Sequence, residues 1–212
     1  MLRQQSRRLI MMLAASIFIL QGCMGGGLEG EVKDGLQAVS GEESKVSKRQ
    51  LSLMKLEEKE KSIYDRIIGL GMEDYDKIVQ LSDEAQKNIS SRTSEIQKEN
   101  EALQKSRDKF KKIKKSLSEL EDKDKANKLA SIMADRYKAH DRLFAYYKDS
   151  LKADKELYSM FKDKNLDYKT LQDQVDKINV LYGKVREENT RFNKLTAEYD
   201  KQKNSLLESM GK

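Results

Sequence analysis

The chain has 212 residues, of which 37% are charged and 37% hydrophobic, and it contains neither proline nor tryptophan. That apolar share is lean for a thick globular core, where about 45–50% is typical. It suits long helices that each bury one narrow stripe, and no proline stands in their way.

The first 22 residues differ from the rest. Arg3, Arg7 and Arg8 precede LIMMLAASIFIL, an apolar run over residues 9–20. A membrane-spanning helix needs about 20 such residues, so this shorter run behind a basic head reads as an export signal. A buried N-terminal helix is the weaker alternative. LQGC, residues 20–23, resembles the lipobox of bacterial lipoproteins: apolar Leu20, small Gly22, then Cys23, the only cysteine of the chain. The resemblance implies diacylglyceryl transfer to the Cys23 sulfur and cleavage between Gly22 and Cys23. The alternative is an exported free thiol, which would be exposed to oxidation and crosslinking. Loss of the three arginines with the signal lowers the net charge from +6 to +3. Residues 23–44 read as a flexible linker after the lipidated cysteine, because Gly25, Gly26, Gly27, Gly30, Gly35 and Gly41 crowd into 21 residues. A coil of that length spans roughly 25 Å.

From residue 45 onward apolar residues recur at three- and four-residue spacing, the signature of buried helix faces. Helices are expected over about 45–68, 72–120, 125–163 and 168–210. The first breaks at Gly69-Leu70-Gly71. The turn at residues 121–124 offers acids to cap the next helix, and Asp167 is a candidate N-cap for the last. The fold class is all-α: an elongated antiparallel bundle, coiled-coil-like, with three long helices and a shorter N-terminal one. That short helix should thicken only one end, leaving four helices there and three at the other. In the second helix the inward positions read Arg92, Glu99 and Ser106 before Ile113 and Leu120. This predicts a thinly packed, mobile middle, with a polar groove as the alternative.

Chemistry is sparse. His140 is the lone histidine, at a stripe position between Tyr137 and Phe144. A core residue is the favoured reading over an acid–base group or ligand, since Tyr137 stands where a helical dimetal site would want glutamate. No second histidine completes a metal centre, no serine triad can be nominated, and no glycine-rich phosphate loop follows a strand. The reading is no enzyme, no cofactor and no metal. A deep pocket with acids around His140 would revive an enzyme.

KSRDKFKKIKK, residues 105–115, carries Lys105, Arg107, Lys109, Lys111, Lys112, Lys114 and Lys115 against Asp108 alone. Phe110 and Ile113 fall on the buried side, and the cations spread around the outer arc. Such a face suits polyanions. Outside the membrane these would be wall phosphates such as teichoic acids, or lipid headgroups, and not nucleic acid. The competing reading is a solvated face offset by neighbouring acids. Tyr137, Tyr147 and Tyr158 fall on core positions, and Tyr146 is the one expected to be more exposed. Asn189 interrupts the stripe of the last helix and reads as a register-setting residue.

IIGLGMEDYDKIVQLSDEA, residues 67–85, and MADRYKAHDRLFAYYKDSLKADKELYSMF, residues 133–161, resemble the cell-wall-binding lipoprotein family of Gram-positive bacteria (the YkyA type). The resemblance runs from the lipobox through nearly all of residues 45–210. It implies a surface lipoprotein at the outer face of the cytoplasmic membrane, anchored through diacylglyceryl-Cys23 and facing the cell wall. Together with the basic face it points to peptidoglycan or teichoic acid as partner. A scaffold or chaperone-like module for another exported protein is the alternative.

Overall fold

A computed structural model describes residues 27–211. The expected signal peptide of residues 1–22, the expected cleavage site after Gly22, and Cys23 lie outside them. The described chain holds four long helices: α1 (Leu28–Ile67), α2 (Tyr75–Glu119), α3 (Lys123–Met160) and α4 (Tyr168–Ser209). A short 3-10 turn, Met72–Asp74, leads into α2. Among the described residues there is no strand.

The helix starts follow local chemistry. The Asp122 carboxylate accepts the backbone N–H of Lys125 at 3.1 Å. Asp167 accepts that of Thr170 at 2.9 Å. Each carboxylate thereby satisfies a donor that the first helical turn leaves without an intrahelical partner.

Contacts divide the chain into two compact units. Unit 1 comprises Gln50–Gln97 and Leu143–Glu187; unit 2 comprises residues 27–49, Lys98–Arg142 and residues 188–211. The core of unit 1 is built from Leu53, Ile63 and Ile67 of α1, Leu81, Ala85, Ile89 and Ile96 of α2, Tyr147, Leu151 and Tyr158 of α3, and Val185 of α4. The core of unit 2 is built from Val32, Leu36 and Val39 of α1, Leu103, Phe110, Ile113 and Leu117 of α2, Leu129, Met133 and Tyr137 of α3, and Phe192, Tyr199 and Leu206 of α4.

Two expectations are corrected by this arrangement. Residues 28–44 are not linker but the first part of α1, which runs 40 residues without interruption. All four helices therefore contribute to each unit, and neither unit is a three-helix end. The physical reason is a balance of two local terms. Gly30, Gly35 and Gly41 each cost the helix about 1 kcal/mol relative to alanine. Val32, Leu36, Val39 and Val46 are buried, and each contributes about 1.5–3 kcal/mol by leaving water. Burial wins.

Candidate functional site

The basic segment lies on α2 within unit 2. Phe110 and Ile113 are buried, so the cations are thrown outward as their spacing requires. They are not equivalent. Arg107 donates through Nη2 to both Asp141 oxygens at 2.7 and 2.8 Å. Its guanidinium lies 5.0 Å from the Tyr137 ring centre. Lys109 Nζ is 3.6 Å from Glu42. Lys111 and Lys115 make exposed pairs one turn along the same helix, with Asp108 and Glu119 at 3.5 and 3.8 Å. Such pairs are worth only about 0.2–1 kcal/mol and yield readily to a better anion. Lys105, Lys112 and Lys114 are exposed. Of the seven cations, Arg107 is thus held by the protein itself, Lys109 is half-buried, and the remaining lysines form the accessible face.

The inward polar residues of α2 pack within the units to which they belong. Arg92, Glu99 and Ser106 are all buried. In unit 1 the Arg92 guanidinium is saturated. Nε and Nη2 donate to the Tyr147 hydroxyl at 3.1 and 3.0 Å, and Nη2 also donates to the Tyr182 hydroxyl at 2.8 Å. Nη1 donates to Glu60 and lies 3.4 Å from Asp154 Oδ2. The two tyrosines pass the polarity on, Tyr147 donating to Glu57 at 2.6 Å and Tyr182 to Asp154 at 2.5 Å. Burial opposes the Arg92 charge, but the surrounding phenol and carboxylate oxygens outweigh it and hold the arginine firmly ionised.

Unit 2 has its own layer. Arg136 of α3 donates through Nη1 to Glu43 and through Nε to Thr196, each at 2.7 Å. Its guanidinium lies 4.7 Å from the Phe192 ring centre and 5.6 Å from that of Tyr199. Glu43 also accepts from Ser106 at 2.7 Å, and Ser106 shares a hydrogen bond with Tyr137 at 2.9 Å. Burial, and then the nearby Glu43 charge, push the Tyr137 phenol up beyond its usual range against the opposing pull of Ser106, Arg136 and Arg107; it stays neutral. Glu43 stands in the stretch read as linker, so that misreading hid the counter-ion of Arg136.

His140 sits in the core of unit 2, 1% exposed, with its ring 5.6 Å from that of Phe192. Nε2 lies 3.8 Å from Glu99 Oε1, and Glu99 is equally buried. Among the described residues no group of three or more histidines, cysteines or acids is assembled to hold a metal. Tyr137, Tyr147 and Tyr158 are buried as their positions require. Tyr146 is half-buried, with Lys184 Nζ 5.3 Å from its ring centre. Asn189 is half-buried; its neighbour Glu188 takes the inward position on α4 and accepts two hydrogen bonds from Arg142 at 2.6 and 2.9 Å. Residues 168–184 of α4 bury little. Leu171, Val175, Tyr64, Phe161 and Tyr168 line a shallow apolar depression in unit 1.

The polar layers could have been found in part. Arg92 and Glu99 stand at stripe positions, and a charged residue on a buried stripe implies a partner. Which partner it takes is set by the neighbouring helices.

Fold and site together define an all-α helical bundle with buried arginine-centred polar layers and an accessible lysine face on α2. The chain belongs to the YkyA family, described as "Putative cell-wall binding lipoprotein", whose model matches residues 28–209. It is 34% identical over 200 residues to a Bacillus subtilis (strain 168) protein named "Uncharacterized lipoprotein YkyA", covering 93% of this chain and 90% of that one. The fold is that of a Staphylococcus aureus crystal structure titled as a conserved protein of unknown function. The two agree with a TM-score of 0.73 at 19% identity, over 84% of this chain and 91% of the other.

Proposed function

We propose that this lipoprotein is a non-enzymatic binder or organiser of cell-wall polymer at the outer face of the cytoplasmic membrane of a Gram-positive cell. It is held there by a diacylglyceryl group on Cys23, exposed by cleavage after Gly22. Two acyl chains anchor stably where one anchors weakly, which suits a permanent resident. In Cys23→Ser the sulfur that would accept the lipid is gone, so the protein should move from the membrane fraction to the medium in cell fractionation.

The observation that carries the binding reading is the lysine face of α2. Lys105, Lys112 and Lys114 are exposed, and Lys111 and Lys115 are held only by weak surface pairs. Repeating phosphates on a wall polymer would meet several of these ammonium groups at once. Replacing Lys111, Lys112, Lys114 and Lys115 with alanine should weaken retention on purified wall by roughly fourfold or more, at about 0.2–1 kcal/mol per lost contact. Retention should also fall as salt screens the charges. Retention unchanged both by these substitutions and by stripping teichoic acid would overturn the mechanism.

A second reading, a scaffold for another exported protein, is favoured by the apolar depression of unit 1. Ile68, Met72 and Tyr168 are 48, 60 and 70% exposed. A crosslinked protein partner in cells lacking wall polymer, lost in Tyr168→Ala, would decide for it.

A further inference from the structure

Unit 1 gathers one buried cation and three largely buried carboxylates. Glu57 and Glu60 enter from α1, Arg92 from α2 and Asp154 from α3. The other titratable groups facing Asp154 are the phenols of Tyr147 and Tyr158, on α3, and Tyr182, on α4. These phenols are pushed up by burial and stay neutral. Ionised throughout, the cluster would hold two more negative than positive charges. Nearby like charges in a low-dielectric interior disfavour joint ionisation, so a proton is the simplest compensation. Glu60 and Asp154 approach the same guanidinium nitrogen from opposing helices, and there the excess charge is most concentrated. Unit 2 offers a contrast: Arg136 faces the single carboxylate of Glu43, a layer that is balanced without a proton.

We propose that the Arg92 layer is a proton-operated latch that tightens α1 against α3 in unit 1 when Asp154, facing Glu60 across the Arg92 guanidinium, holds a proton and loosens them when it leaves. The proton comes from solvent and sits on one carboxyl oxygen, leaving one net negative charge where there had been two. Burial first, and then the nearby Glu60 charge, push Asp154 up to about 7, against the opposing pull of Arg92 and Tyr182. Burial also raises Glu57. A carboxyl raised in this way stabilises the folded form while protonated. The stabilisation is complete below the unfolded value of 3.8 and is lost as pH rises through about 7. Unit 1 should therefore be tighter at pH 5 than at pH 7.5. The opening constant changes by roughly tenfold per pH unit inside that window.

Amide hydrogen exchange on the full chain at pH 5.0 and 7.5, corrected for the intrinsic rate, reads this directly. Backbone protection around Glu57–Ile63 and Leu151–Tyr158 should fall at the higher pH, and Asp154→Asn should remove the dependence. The same slope in wild type and Asp154→Asn would overturn the latch. Should that variant not fold, side-chain carboxyl NMR of the wild type decides. Asp154 should titrate near neutrality, and its titration in the ordinary carboxylate range would refute the latch.

Discussion

Arg92→Met should cost unit 1 about 3–5 kcal/mol, the loss typical of breaking a buried ionic group by removing one partner. The methionine fills much of the space but donates nothing. Three carboxylates and two phenols then lose the cation that holds them together. The loss should be smaller at pH 5 than at pH 7.5, because protonation relieves the stranded acids. Denaturant unfolding of the full chain, followed by helical circular dichroism at both pH values, measures it. Adding Glu60→Gln and Asp154→Asn to the same chain should recover part of the loss, since neutral amides no longer need the guanidinium. A loss below about 1 kcal/mol at pH 7.5, or no recovery, would mean that the charges are compensated some other way.

Gly35→Leu and Gly41→Ala should move stability in opposite directions, although both glycines lie in the same stretch of α1. A Cβ added at Gly35 would stand 2.0 Å from the Ile113 Cγ2 and 3.2 Å from its Cβ. Those atoms belong to a β-branched side chain with little rotamer freedom in a helix, so α1 or α2 must shift. Overpacking of this kind costs about 1–3 kcal/mol. An added Cβ at Gly41 meets nothing within 4 Å, and Ala there should gain up to about 1 kcal/mol in helix propensity. Ile113→Ala should rescue Gly35→Leu in a double-mutant cycle, because the clash is with that one side chain. A stabilising Gly35→Leu would show that the two helices do not approach so closely.

These glycines explain why the start of α1 was illegible. Read by density, six glycines in 21 residues indicate a coil. Read by spacing, Val32, Leu36, Val39, Val46 and Leu53 continue the stripe of α1 toward its N-terminus, with Glu43 and Gln50 at the inward positions between them. Gly35 is there because α1 and α2 nearly touch, a fact that exists only once α2 is in place. The second helix shows the same limit. Arg92 and Glu99 were visible as interruptions of an apolar stripe, but a polar interruption reads alike whether it is a weak spot or a buried ion pair. The Arg92 partners come from residues 57, 60, 147, 154 and 182, up to 90 positions away.

The sequence by itself determined the last three helices and the later part of the first, an acidic cap within residues 121–124 and another at Asp167, the all-α class and the inward positions of Tyr137, His140, Tyr147 and Tyr158. These follow from 3.6-residue periodicity and from side chains that bond to backbone three residues away, both of which are local. Only the tertiary structure decided that residues 28–44 are helix, that Arg107 belongs to Asp141 and so leaves the lysine face to the others, and that Arg92 answers three acids while Arg136 answers one. Those outcomes depend on which helices face each other and how nearly, and burial and charge compensation are properties of that pairing.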